Sequence, residues 1–295
     1  MDIRRLKDIS SGITIRSSLI FINSIAFLMA LILFIKSYPI LKSQSIYQLI
    51  LGTSWHPLRG EFGFFPFIIG TIEVTVIAMA LSIVPCLLCA IYLSEFAKKH
   101  YREVVHLTID VLAGIPSVIY GLCGVIAIVP FVKIIGNILG VKTTGYSLLA
   151  GGIILAIMVC PVIISVTLEV LRSIPQEARE ASIALGATRW ETIRHVLFRI
   201  AKRGIVAAIV LGFARAFGET IAVMMVVGNV PKIPTSLFDP AYPLPALIAN
   251  NYGEMMSLPL YDSALLFAAF ILMLVVGIFS LAANLTLLKI ERKGT

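Results

Sequence analysis

Arg215 and Glu219 lie four residues apart inside a stretch that is otherwise apolar, about 204–228. On a helix that spacing puts both on one face, close enough to pair. A charge near the middle of a membrane costs about 2.5–3.5 kcal/mol even on the milder insertion scale, and apolar replacements often stabilise as well as a buried pair. Two readings are open. The pair is a packing contact between helices, or Arg215 meets an anion crossing the membrane while Glu219 holds the guanidinium. Arginine suits phosphate because its planar fork makes paired, charge-assisted hydrogen bonds. Glu73 sits early in another apolar stretch, near its outer end, either as a partly solvated carboxylate or as a second partner for Arg215. Cys86-Leu-Leu-Cys89 has metal-ligand spacing but no second ligand pair, so with Cys123 and Cys160 it reads as small buried apolar side chains. His56, His100, His106 and His195 have no metal-like spacing. Nothing resembles a catalytic set, so the chain does not read as an enzyme, and no cofactor is called for. It has no Gly-x-x-x-x-Gly-Lys-Ser/Thr phosphate loop; if ATP powers it, another subunit must supply the ATPase.

The elements that position these residues are membrane helices. Hydrophobic residues make up 59% of the chain and charged residues 14%, whereas a soluble domain needs about a quarter charged. An all-α integral membrane protein is expected. Six stretches reach the roughly 20 apolar residues that a span requires: about 18–35, 67–94, 111–132, 147–168, 204–228 and 263–288. Segment 1–66 holds the first span and an outer loop, 67–288 the core, and 289–295 a tail. The basic start resembles a signal peptide, but no cleavage site follows, so an uncleaved helix is expected. Most Lys and Arg fall at the two termini and after the second and fourth spans. That bias puts both termini in the cytoplasm of a multi-pass protein of the cytoplasmic (inner) membrane. The net charge of +8 is scattered over loops rather than gathered with aromatics, which argues against nucleic acid.

The loop after the fourth span is written as a helical elbow. Ser173-Ile-Pro-Gln176 and Thr188-Arg-Trp-Glu191 both read as capping boxes. Gly186 between them supplies a left-handed helix end. Trp190, Ile193, Leu197 and Ile200 are expected on one face of the second arm, with Arg194, His195, Arg199, Lys202 and Arg203 filling much of the rest. Helix breakers inside the spans are Pro85, Gly114 with Pro116, Gly121, Gly124 and Pro161. They are ordinary kinks or hinges along a pathway, with Gly114-Ile-Pro-Ser-Val-Ile-Tyr-Gly121 (Gly114, Pro116 and Ser117 at its head) the foremost candidate. The outer loop near 229–262 holds so many prolines that no regular helix is expected there. It is read as a lid or docking surface, or as a connector.

Glu180-Ala-Ser followed by Gly186 resembles the coupling loop of ABC permeases that work with a binding protein. Trp55-His-Pro57, Tyr92-Leu-Ser-Glu95, Leu112 to Gly121, Arg215-Ala-Phe-Gly-Glu-Thr-Ile-Ala-Val223 and Gly228-Asn229 are similar to the phosphate-specific permeases of the PstC type. The resemblance implies a type I (MetI-like) six-helix core with a cytoplasmic coupling helix, in which Glu180, Ala181, Gly186 and Trp190 meet the ATPase. It also implies a PstA-type partner permease, PstB-type ATPase subunits, an external phosphate-binding protein, inorganic phosphate as substrate and a lipid surround. Arg215 and Glu219 match residues implicated in translocation. A permease for molybdate or sulfate is the near alternative; an ATPase-independent channel or secondary transporter is the other. One departure stands at Phe198-Arg199, where the family usually has Leu-Pro, and an unbroken helix is expected there.

Overall fold

The computed structural model describes residues 3–254 and 260–292. Residues 293–295 of the expected tail and 255–259 of the outer loop lie outside the described residues. Among the described residues, thirteen α-helices follow one another along the chain: α1 Ile3–Ser43, α2 Ile46–Leu51, α3 Phe65–Ile91, α4 Lys99–Gly114, α5 Ser117–Cys123, α6 Val129–Ile138, α7 Leu148–Arg172, α8 Gln176–Ala184, α9 Arg189–Glu191, α10 Phe198–Gly218, α11 Ile221–Val226, α12 Leu244–Asn251 and α13 Tyr261–Arg292. A two-stranded antiparallel hairpin, β1 Trp55–His56 with β2 Glu61–Phe62, lies between α2 and α3.

Among the described residues, five helical runs are long and apolar enough to cross a membrane: Ile15–Ser43, Phe65–Phe96, Ser117–Ile138, Leu148–Arg172 and Tyr261–Ala283. The sixth expected span is α10. It has 21 residues, but Arg199, Lys202, Arg203 and Arg215 lower its apolar character. Its buried face packs on α7 and α13, two of the five.

The central packing is α3 against α7, where Val74, Ala78, Cys86, Leu155, Val159 and Ile163 are buried. Cys86 is buried in this layer, Cys160 packs against it, and both are free thiols. Polar side chains in these helices satisfy themselves locally: Thr71 and Thr75 donate to the carbonyls of Phe67 and Thr71 at 2.7 and 2.8 Å. Ser147 caps α7, accepting from the Ala150 N–H at 3.2 Å.

Two expected spans are interrupted. The third begins at Ser117, not near 111, because Ile115 and Pro116 are extended and divide α4 from α5. The residue before a proline is pushed out of the helical region. The fifth stops at Gly218: Glu219 is extended, and α11 restarts at Ile221.

The outer side also differs from expectation. Helix α12 forms within the proline-rich segment, with Pro243 as its cap and Pro245 in its first turn, where a missing donor costs little. Residues 229–243 are irregular but pinned, since Leu237 and Asp239 accept from the Leu149 and Leu148 N–H groups at 2.9 and 2.8 Å. Trp55 stands edge-on to Phe62, Phe64 and Phe67 at 5.6, 5.4 and 5.1 Å, which fastens the hairpin to α3.

Candidate functional site

Arg215 is exposed in the last turn of α10, just before the helix breaks. Because Glu219 has left the helix, the four-residue rule does not apply, and the expected Arg215–Glu219 pair is not formed. Glu219 turns instead to the next helix, where its Oε1 accepts from the Ala222 N–H at 3.3 Å. Among the described residues none gives Arg215 a hydrogen bond or an ion pair.

The two interruptions belong to one locus. Tyr120 reaches across the first and donates to the Leu112 carbonyl at 2.7 Å. Helix α5 then packs on α11 through Gly121, where a Cβ would come within 2.5 Å of the Met225 sulfur and 3.2 Å of the Ala222 Cα. Only glycine permits that approach. The Gly114–Gly121 and Arg215–Val223 stretches, about a hundred residues apart in sequence, thus lie against each other, with Gly114 and Pro116 exposed and Ser117 half-buried. Non-helical backbone at membrane depth persists only where it is buried in protein or lines a polar cavity. The two breaks meet through the packing of α5 on α11, and Arg215 stands in the helical turn just before the second.

Glu73 lies elsewhere, in a cleft of about 350 Å³ between α3 and the segment 234–237, beside Thr235 and Ser236. Its Oε2 is buried and has no hydrogen-bond partner among the described residues. The structure does not pair it with Arg215.

The elbow is built as two arms around Gly186, whose φ of +87° is left-handed. Thr188 and Glu191 form the expected capping box. Its two Thr188 hydrogen bonds hold the Glu191 carboxyl below the usual carboxylate range. The other expected box does not form: Ser173 ends α7 and donates to the Val170 carbonyl at 2.8 Å, while Pro175 precedes α8 without a side-chain cap. Ser182 and Thr192 hydroxyls, 2.9 Å apart and buried, tie the arms together.

From α9 the chain runs through a π-helical turn, Thr192–Leu197, into α10 without a break at Phe198-Arg199, as expected from the missing proline. The wider turn shifts the register, so the buried stripe is Ile193, Leu197, Ala201 and Ile205, while Ile200 and Trp190 are 51% and 56% exposed. Glu180, Ala181 and Gly186 are exposed as well, and Leu185 at the tip is 90% exposed.

Residues 87–289 match the family described as the binding-protein-dependent transport system inner membrane component. The chain belongs to this family. It is 40% identical over 209 residues to the probable ABC transporter permease protein YqgH of Bacillus subtilis, covering 70% of this chain and 66% of that one, just under two thirds of its length. It is 35% identical over 256 residues to the phosphate transport system permease protein PstC of Xylella fastidiosa, covering 82% and 78%. Among solved structures, a bacterial alginate ABC transporter aligns with a TM-score of 0.64 at 17% identity, over 94% of this chain and 95% of that one. The MetNI methionine ABC transporter aligns at 0.58 and 20%, over 75% and 93%. These two share the fold.

In this binding-protein-dependent component, the elbow's anchor is a residue the motifs did not single out. Arg179 pairs with Glu95 at 3.1 Å, both about 15% exposed. It also donates to the Ile174 and Leu171 carbonyls at 2.7 and 2.8 Å, closing the end of α7. Leu185, Tyr120 and Arg179 carry no periodic signal.

Proposed function

We propose that this chain is the PstC-type permease subunit of an ATP-driven inorganic phosphate importer. It forms the translocation pathway with a PstA-type partner permease, and takes phosphate from an external binding protein. Helix α10 is the sixth span, and both termini and the elbow face the cytoplasm. The exposed tip, with Leu185 and Trp190 flanking Glu180, Ala181 and Gly186, seats in PstB-type ATPase subunits, whose closure moves α10. Arg215 then offers its guanidinium to phosphate alternately from either side, and Glu219 fixes the restart of α11 rather than neutralising the arginine. The breaks at Gly114–Pro116 and Glu219–Thr220, with Ser117 beside the first, give the pathway polar backbone at depth. The unpaired, exposed Arg215 at a helix break carries this reading, supported by similarity to phosphate permeases.

The test is uptake of labelled phosphate at micromolar concentration in cells lacking the native gene, with sulfate and molybdate as competitors. The native chain should restore uptake that neither competitor reduces. Arg215→Ala should abolish it while still reaching the membrane, and Arg215→Lys should recover a small fraction, because an ammonium is a point charge rather than a fork. Normal transport by Arg215→Ala would remove the anion site from this position.

A further inference from the structure

Helices α10 and α13 part along one side to leave an apolar groove of about 270 Å³, walled by Val206, Val210, Phe213 and Phe217 on α10 and by Val276 and Phe279 on α13. On the elbow side of it, Arg194, His195, Arg199 and Lys202 surround an open concavity. Arg199, Lys202, Val206, Val210, Phe213 and Phe217 recur at intervals of three and four, so they form a single stripe along the helix. At about 100° per residue, Arg215 lies half a turn round from Val206, on the opposite side. The stripe is basic for its first turn and apolar thereafter. From Val206 to Phe217 it rises about 16 Å, close to half of the roughly 30 Å hydrocarbon thickness.

We propose that this stripe binds one anionic phospholipid of the inner leaflet, its headgroup phosphate on Arg199 and Lys202 and an acyl chain in the α10–α13 groove. The order of basic then apolar lining matches an amphiphile entering from the elbow side; a soluble anion would leave the groove empty. That face is turned away from Arg215, which the reading above puts on the translocation pathway. The cytoplasmic leaflet is the anionic one, and each nearby Lys or Arg raises affinity for it about five-fold. The inference rests on the orientation proposed above, which puts the elbow in the cytoplasm.

The intact transporter, exchanged into phosphatidylglycerol or phosphatidylcholine of identical chains, would be examined by native mass spectrometry for retained lipid. Phosphatidylglycerol should be retained preferentially. Arg199→Gln with Lys202→Gln should erase that preference, about five-fold for each residue, and leave phosphatidylcholine retention unchanged. Ser280 and Ala283 also line the groove on α13; Ala283→Leu, which fills it, should lower retention of both lipids, and phosphate uptake by each variant shows that it has folded. The inference is overturned if the double variant keeps the preference, if millimolar inorganic phosphate displaces the lipid, or if Ser280→Cys cross-links to the partner permease across the groove. Labelling of Leu185→Cys from one side of the membrane separates the two failures. Labelling from outside defeats the orientation and this inference together. Labelling from inside without phosphatidylglycerol preference defeats this inference alone.

Discussion

Replacing Arg179 with alanine separates the elbow's anchor from its docking surface, because Arg179 is mostly buried behind the tip. The substitution removes the ion pair to Glu95 at 3.1 Å and orphans the Leu171 and Ile174 carbonyls. Hydrogen bonds to a charged group contribute about 1.5–3 kcal/mol each, and stripping one partner from a buried pair costs about 3–5 kcal/mol. Glu95 keeps some access to water, so about 3 kcal/mol of local stability should be lost. Hydrogen exchange in the intact transporter should then quicken by about two orders of magnitude across 174–188, while the α3–α7 layer stays protected. Phosphate uptake should fall although Arg215 is untouched, since the tip is no longer held against α7. Glu95→Gln should cost less, and the double variant should show a coupling of about 1–2 kcal/mol. Unchanged exchange in Arg179→Ala, or additivity within about 0.5 kcal/mol, would refute the anchor.

Three further outcomes are expected. Gly121→Ala should lower thermal stability by about 1–3 kcal/mol, because Met225 can swing aside but the Ala222 backbone 3.2 Å away cannot. A Cβ at Gly186 meets no atom within 4 Å, so the cost of Gly186→Ala is conformational, about 1–2 kcal/mol, and should appear as faster proteolysis at the elbow with Arg215-dependent binding intact. Asp239 accepts from the Thr235 and Ser236 N–H groups, both at 3.0 Å, and from the Thr235 hydroxyl at 2.9 Å. The Thr235 bonds in particular hold its carboxyl below the usual range. A depressed carboxylate stabilises above its unfolded value of about 3.9 and loses that contribution as pH falls through the lower folded value. A spin label at Lys232 should therefore gain mobility only in acid, and Asp239→Asn should flatten that dependence.

The apolar stretches were legible because burial in lipid writes long hydrophobic runs, and the Gly186 turn and Thr188 box because they are local. Of the interruptions, the one at Ile115-Pro116 was foreshadowed by its proline, read as a breaker inside the span. The second was not, since Glu219-Thr220 is two residues inside a run whose average hydropathy barely changes. Reading through the second made Arg215 and Glu219 look like partners. The π-helical turn at Thr192–Leu197 escaped for a similar reason: a period of 3.6 assigns Ile200 to the buried face, and one wider turn moves that face to Ala201. Helix α12 was missed because prolines were counted without regard to position, and Pro245 falls where a helix tolerates it. The Arg179–Glu95 contact spans 84 residues, a separation at which sequence spacing says nothing. Arg215 itself stood out from the sequence; what surrounds it did not.

The absence of a proline at Phe198-Arg199 makes the second elbow arm and α10 a single rod from Arg189 to Gly218. Over the 26 steps to Arg215 that rod measures about 39 Å, and a tilt of about 5° at the elbow sweeps its far end by about 3 Å. A jointed pair of helices would dissipate such a tilt at the joint. Here leverage replaces articulation, and the guanidinium travels about the length of one hydrogen bond for a displacement at the tip too small to unseat its packing.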